Sequence, residues 1–258
     1  MSRFVPALAL VTLFVSSLPA RADDGAVLRE SSSREELEQV AATLEARAAK
    51  SPDDFDVRLG ASVALTQLMA IRTNGNLPLV DGLQDTDANR ALWADLGARA
   101  LAHARAAEKL RPQSPEAAAA LASSYMFYAS SMGIIRSIVS GAGSEYQQHA
   151  RRLIELDPKF DDALGASLLA NLYLIAPWPV YDRDAALEHF EHAAQLSPDS
   201  LRNQYGLAVF WARDGDAARA RTHFERVVAK PCTANTERLF CDFMKQTARR
   251  ELARLAAQ

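Results

Sequence analysis

The histidines offer the most specific chemistry in this sequence, because imidazole side chains that share a helix face can bind zinc. His189 and His192 are three residues apart, and His223 has the place of His189 in a second, similar run. A zinc site also needs a third histidine or a carboxylate that converges on the same point. The nearby Glu188 and Glu191 fit a solvated helix face better. We therefore predict no metal site and no cofactor.

Other catalytic patterns are also missing from the sequence. The segments Gly60–Ala64 and Gly165–Leu169 each contain a serine after a glycine, but neither has the second glycine of a nucleophile elbow. Gly141–Gly143 is too short for a phosphate-binding loop. A hydrolase or metal enzyme is the least favoured hypothesis, and we predict that the protein has no catalytic residues and is not an enzyme.

Cys232 and Cys241 are the only cysteines. Their separation is not that of a Cys-x-x-Cys redox motif, and in an oxidising compartment a disulfide between them is the default expectation. Such a bridge would close a loop of roughly ten residues and add about 2–3 kcal/mol of stability.

The first residues have the composition of a secretory signal peptide. Arg3 precedes an apolar run from Phe4 to Leu18, and Ala20-Arg21-Ala22 has the form of a cleavage site. We predict a signal peptide over residues 1–22, cleaved after Ala22, and a disordered segment over 23–32. The alternative is an uncleaved anchor. Cleavage would leave a periplasmic or secreted protein without an integral membrane segment.

The net charge restricts the partners. Loss of residues 1–22 removes two basic and no acidic side chains, so 27 basic and 32 acidic residues remain, a net charge of −5. Nucleic acids and anionic lipids require a clustered basic face. We therefore predict no nucleic-acid partner.

The elements that must position these residues follow a helical repeat. The pattern Ala-x3-Phe-x2-Ala-x4-Pro marks the second helix of a tetratricopeptide (TPR) unit. It occurs at Ala186, Phe190, Ala193 and Pro198, and in modified form at Ala220, Phe224, Val227 and Pro231. We predict an all-α, TPR-like solenoid over residues 33–258, with about four antiparallel helix pairs and a C-terminal capping helix. A generic alanine-rich bundle is the alternative.

Prolines and capping residues predict where the helices begin and end. Among the predicted features are a capping box at Ser33 and Glu36, a cap at Asp85 or Thr86, a cap at Ser144, a helix starting at Asp161, and a final helix over 236–257.

Three segments interrupt the regular repeat: Arg72–Asp85, Gly133–Gly143 and Pro177–Asp182. Each joins the first helix of a pair to the second. In a hairpin solenoid all such turns project from one edge, so the three insertions should lie side by side. Their apolar composition fits a binding surface at that edge, segments folded back over the core, or disordered loops.

Trp178 is the most informative residue of the insertions, because two flanking prolines restrict its backbone. It could seal the edge between helix pairs or form an aromatic wall of a binding surface. The candidate binding residues are Leu77, Leu79, Tyr128, Ile134, Ile135, Ile138, Trp178 and Tyr181.

The region from about Ala100 to Ala253 resembles periplasmic TPR proteins of the TRAP-transporter T-component type. The resemblance rests on Tyr125–Ala129 with the apolar stretch after it, on Leu174–Pro179, on Ala185–Phe190 and on an Ala-Lys-Pro junction at 229–231. It implies an accessory role in solute uptake, a periplasmic substrate-binding protein as partner, and homo-oligomers.

The leading functional hypothesis is a non-catalytic periplasmic or secreted scaffold. It would bind a protein partner, or a small apolar ligand, through the edge of the three insertions and the concave face beside it. An accessory component of a TRAP-type uptake system is the alternative.

Overall fold

The computed structural model describes residues 34–73, 85–231 and 240–257 and folds them into helices, with no strand among these residues. This confirms the predicted all-α class. The helices are α1 (Arg34–Lys50), α2 (Phe55–Arg72), α3 (Asp87–Leu110), α4 (Pro115–Ser131), α5 (Ile134–Val139), α6 (Ala142–Leu156), α7 (Phe160–Ile175), α8 (Arg183–Leu196), α9 (Leu201–Asp214), α10 (Ala217–Ala229) and α11 (Cys241–Ala256).

Side-chain caps explain most helix starts. Thr86 Oγ1 accepts a hydrogen bond from the Asn89 backbone N–H at 3.2 Å, and Ser114 Oγ accepts from Ala117 at 3.1 Å. Such caps satisfy amide groups that have no partner within the first turn. The same arrangement begins α2, α8, α9 and α10, at Asp54, Asp182, Ser200 and Asp216.

The helices form two layers of antiparallel pairs. The pairs are α2 with α3, α4 with α6, α7 with α8, and α9 with α10, while α1 packs before the first pair and α11 covers the last. The first helix of each pair also contacts the first helix of the next pair, so α2, α4, α7 and α9 form the inner layer. The predicted solenoid of four pairs with a C-terminal helix is confirmed.

The residues of the repeat signature are core residues of this solenoid. Ala186, Phe190 and Ala193 are almost completely buried, and their equivalents in α10 are buried as well. Gly206 of α9 allows α9 to approach α8 closely, because a Cβ atom at that position would lie 2.4 Å from the Phe190 ring. The Phe190 ring therefore occupies space that only glycine leaves free.

The inner layer is not an open groove along its second half. Every residue of α9 from Leu201 to Trp211 is buried, and so is every residue of α7 from Ala163 to Asn171. A helix buried on all sides has no face left for a ligand. The concave surface beside these two helices is therefore not available as the binding face that the sequence suggested.

The start of α7 differs from the sequence prediction. Asp161, Asp162 and Ala163 have left-handed backbone angles, with φ of 45°, 56° and 61°. The α9 side chains hold this turn: Asn203 Nδ2 donates to the Asp162 carbonyl at 2.9 Å, and Arg202 donates to the Asp161 carbonyl. Asp161 to Ala163 thus form a strained, left-handed stretch within the first turn of α7, where the sequence had indicated an ordinary helical turn.

Two other features also differ from the sequence prediction. The helix α6 begins at Ala142, before the predicted cap Ser144, because Gly141 takes a left-handed conformation with φ of 72° and turns the chain early. The insertion Gly133–Gly143 contains the short helix α5. The described part of the last helix begins at Cys241.

Other predicted features lie outside the described residues. They are the signal peptide 1–22, the segment 23–32, the cap at Ser33, and positions 236–239 of the predicted final helix. Within the described ranges, no helix combines the length and apolarity needed to cross a membrane.

Candidate interaction edge

Contacts between neighbouring turns place the described parts of the insertions along one edge, while residues 74–84 of the first insertion lie outside the described residues. A Cβ atom at Gly133 would lie 3.2 Å from Arg90 Nη1, just after the first insertion, and one at Gly143 would lie 3.0 Å from Val180 Cγ2, in the third. Arg183 Nε then donates to Asp214 Oδ1 at 2.7 Å, beside the short turn between α9 and α10. These contacts connect the turns of successive pairs, as the topology predicted. We call this surface the insertion edge; its described residues are 85–90, 133–143 and 175–184.

The middle of the insertion edge is apolar and exposed. Val139 and Trp178 are each 84% exposed, Tyr181 is 50% exposed, Ile138 43% and Ile175 38%. Among the described residues, these are five of the six large apolar side chains that are exposed; the sixth, Leu110, lies at the far end of α3. Exposed apolar side chains concentrated in one place are unusual on a protein surface.

Backbone hydrogen bonds fix the segment that presents Trp178. The Val180 and Tyr181 N–H groups donate to the Pro177 carbonyl at 3.0 and 3.2 Å, which closes a tight turn around Trp178. The Asp182 N–H donates to the Tyr173 carbonyl at 3.0 Å and ties the turn to the end of α7. The ring is thus displayed from an anchored loop.

The second insertion is anchored in a similar way. Gly133 has φ of 72°, which lets the chain leave α4 and start α5, and Ser137 Oγ donates to the Ala129 carbonyl at 3.0 Å. The short helix therefore lies against the end of α4 and presents Ile138 and Val139 to solvent.

Charged residues flank the apolar centre. At one end, Arg90 pairs with Asp85 at 3.4 Å and with Asp87 at 2.9 Å. At the other end, the hydrogen bond from Arg183 holds the pKa of Asp214 below its usual range. An apolar centre between charged ends is the usual anatomy of a protein–protein interface.

The structure distributes the predicted binding residues unevenly. Ile138, Trp178 and Tyr181 lie together on the exposed edge, whereas Tyr128 is half-buried within α4. Leu77 and Leu79 lie outside the described residues, as do the side chains of Ile134 and Ile135 in α5.

Sequence reasoning missed two exposed residues. Val139 belongs to an apolar run that had been identified, but nothing in the run distinguished it from its neighbours. Ile175 ended a predicted helix and was not named as a binding residue, although it is partly exposed beside Trp178. The available signal was its position directly before the Pro177 turn.

The structure describes one of the two cysteines. Cys241 is buried at the start of α11 and is disulfide-bonded. Cys232 lies outside the described residues, so the pairing of the two remains a prediction.

The histidine-bearing face of α8 forms an acidic groove. It has a volume of about 600 Å³, and its three lining carboxylates are exposed. Its lining residues are Ile154, Asp184, Leu187, Glu188, His189, Glu191, His192 and Gln195. Across the described ranges, no group of three or more histidine, cysteine, aspartate or glutamate side chains is arranged to hold a metal ion.

Comparisons with known proteins address the fold alone. No protein-family profile and no curated protein matches the sequence. Among solved structures, the chain is similar to a thermophilic TPR protein from Thermus thermophilus, with a TM-score of 0.56 and 14% sequence identity. The match covers 83% of this chain and 91% of that protein. The similarity extends over most of both molecules, so this chain has a TPR-like fold.

Proposed function

We propose that the protein is a non-catalytic, periplasmic or secreted TPR-like scaffold that binds a protein partner through the insertion edge. The observation that carries the proposal is the position of the exposed apolar side chains. Five of the six in the described residues lie on this one edge. The location rests on the signal-like sequence at residues 1–22, and cell fractionation tests it.

The exposure of Trp178 and Val139 supports the interpretation of the insertions as a binding surface over their interpretation as a cover for the core. Segments folded over the core would bury their apolar side chains, yet both of these are 84% exposed. Trp178 therefore does not seal the gap between helix pairs. Full burial of such a side chain contributes roughly 2–3 kcal/mol, which suits an anchor residue at an interface.

Tryptophan fluorescence gives a direct assay of the edge. The chain has three tryptophans, and Trp93 and Trp211 are buried in the core. Trp178 should therefore account for nearly all quenching by acrylamide. A partner that binds the edge should reduce the quenching of Trp178 and shift its emission to shorter wavelength.

Affinity capture from periplasmic extract would identify the partner and test the proposal. The test variant combines Trp178→Ala with Val139→Asp, and the matched control is Leu110→Ala, which also removes an exposed apolar side chain but at the far end of α3. We expect the double variant to lose the partner and the control to retain it. Equal capture by all three folded proteins would refute the proposal.

An accessory role in solute uptake is a narrower form of this proposal. It is supported by the sequence resemblance, in which Leu174–Pro179 is one of the matching segments, and that segment ends in the exposed turn. The narrower proposal requires the captured partner to be a substrate-binding protein. A partner of another kind, captured with the same dependence on Trp178, would reject the uptake role and leave the scaffold proposal intact.

A further inference from the structure

Four of the five histidines occupy one repeat position on successive second helices. His103, His149 and His189 each lie nine residues before the proline that follows their helix, and His223 lies 34 residues after His189. They belong to α3, α6, α8 and α10. We call these four residues the histidine column. The fifth histidine, His192, is exposed on α8 and is not part of it.

Two members of the column pack against a tyrosine of the first helix in their own pair. The His149 ring meets the Tyr125 ring edge-on, with centroids 5.1 Å apart. The His189 ring stacks on Tyr173, with centroids 5.6 Å apart and planes 11° from parallel. Both imidazoles therefore contribute to the packing between the two helices of a pair.

The other two members contact polar side chains at the same interface. His103 Nδ1 lies 3.1 Å from Arg58 Nη1, which places an imidazole against a guanidinium. His223 Nδ1 lies 2.9 Å from the Gln204 Oε1 atom, within hydrogen-bond distance. In all four pairs, the histidine of the second helix thus bridges to the first helix.

The surroundings disfavour a charged imidazole at each position. Burial is the largest cause that lowers the pKa of each of the four histidines, and that of His223 falls to about 4. At His103, His149 and His189, neighbouring carboxylates raise the imidazole pKa, but they do not outweigh the lowering caused by burial. The facing charged groups are Arg58, Arg99 and Glu45 for His103; Glu145, Glu108 and Arg105 for His149; Glu188, His192 and Arg151 for His189; and Arg226 for His223.

We propose that the histidine column is an acid-responsive device, in which protonation of the four histidines loosens all four helix pairs as the pH falls. The repetition of one titratable residue at every first-to-second helix interface carries this inference. Neighbouring repeats stabilise one another in a solenoid, so loosening at several interfaces together has a larger effect than loosening at one. The proposal is independent of what the insertion edge binds.

The pH range follows from the direction of the shifts. The folded protein holds these histidines neutral, whereas the unfolded chain binds protons near pH 6.5, so stability is complete above pH 6.5 and falls below it. For His223, a folded pKa of about 4 corresponds to a roughly 30-fold smaller folding equilibrium constant at pH 5 than at pH 7.5. Partial solvent exposure reduces the expected factor to about tenfold.

Urea unfolding at pH 7.5 and pH 5.0 tests the device. We expect the folding equilibrium constant of the natural protein to fall by more than the roughly tenfold that His223 contributes alone as the pH is lowered from 7.5 to 5.0. The combined His103→Gln, His149→Gln, His189→Gln and His223→Gln variant should largely abolish this fall. His192→Gln, a histidine removed outside the column, should retain the full fall. If the fourfold variant does not fold, the single variant His223→Gln takes its place. Its folding equilibrium constant should fall about tenfold less between pH 7.5 and pH 5.0 than that of the natural protein.

NMR titration of the natural protein gives a second, independent measurement. The imidazole signals of the column should titrate below pH 6.5 as long as the protein is folded. A pH response that persists unchanged in the folded column variants would overturn the proposal. Column signals that titrate at or above pH 6.5 in the folded protein would do the same.

Discussion

Replacement of Asn203 by leucine should destabilise the protein strongly, because this buried side chain joins two repeats. Its Nδ2 group donates to the Asp162 carbonyl at 2.9 Å and to the Ala193 carbonyl at 3.0 Å. Its Oδ1 atom accepts a hydrogen bond from Ser167 Oγ at 2.6 Å. One amide thus bonds polar groups of α7 and α8 and helps to hold the left-handed residues at the start of α7.

Leucine removes three buried hydrogen bonds, although the Ala193 carbonyl keeps its bond from the Ser197 N–H and the Asp162 carbonyl keeps one from Arg202. At about 1 kcal/mol for each lost bond, with a further cost for the Ser167 hydroxyl, Asn203→Leu should lower the free energy of unfolding by roughly 2–4 kcal/mol. Urea unfolding followed by circular dichroism measures this difference. The matched control, Gln246→Leu, changes an exposed amide on α11 and should alter stability by less than about 0.5 kcal/mol.

Asn203→Asp sharpens the test. It keeps the size of the side chain and the acceptor for Ser167, but directs an oxygen at two carbonyl oxygens. We expect it to be at least as destabilising as leucine at neutral pH. A loss below about 1 kcal/mol for both variants would show that the Asn203 hydrogen bonds do not hold the two repeats together.

Three further changes test other parts of the structure. Gly206→Ala should cost about 1–3 kcal/mol in urea unfolding, because its Cβ atom would overlap the Phe190 ring; a neutral result would contradict the close approach. Trp178→Ala should change the unfolding free energy by less than about 0.5 kcal/mol, since the side chain is exposed, and a larger loss would mean that it packs on the fold. Thiol titration of the denatured, unreduced protein should find no free thiol, and reduction should lower stability by about 2–3 kcal/mol; two thiols before reduction would exclude the Cys232–Cys241 bridge.

The sequence was sufficient to predict the scaffold because its signals are local and repeated. Thr86 and the prolines that follow the second helices specify helix ends through capping and backbone geometry alone. The left-handed turn at Asp161 was not predictable in this way. Acidic residues usually begin a helix, and what holds them otherwise here are side chains of α9, about 40 residues later in the chain.

The candidate site was predictable in position but not in exposure. The topology alone indicated that the insertions share an edge. Whether Trp178 and Tyr128 face solvent depends on how each segment packs, and the two differ: Trp178 lies on an anchored turn, whereas Tyr128 is half-buried beside Tyr125. Apolar composition is the same in both cases, so composition could not distinguish them.

The contrast between the two edges of the solenoid has a consequence for protein engineering. The turns that precede the first helix of a pair keep a short proline-containing form, as in Ser51–Asp54 and Arg111–Ser114, whereas the turns within pairs range from Gly215 to the long insertions. Lengthening a surface turn costs little in loop entropy. Peptide segments grafted between α4 and α6, or between α7 and α8, should therefore leave the helical register unchanged, which makes this edge a natural place to install new binding loops.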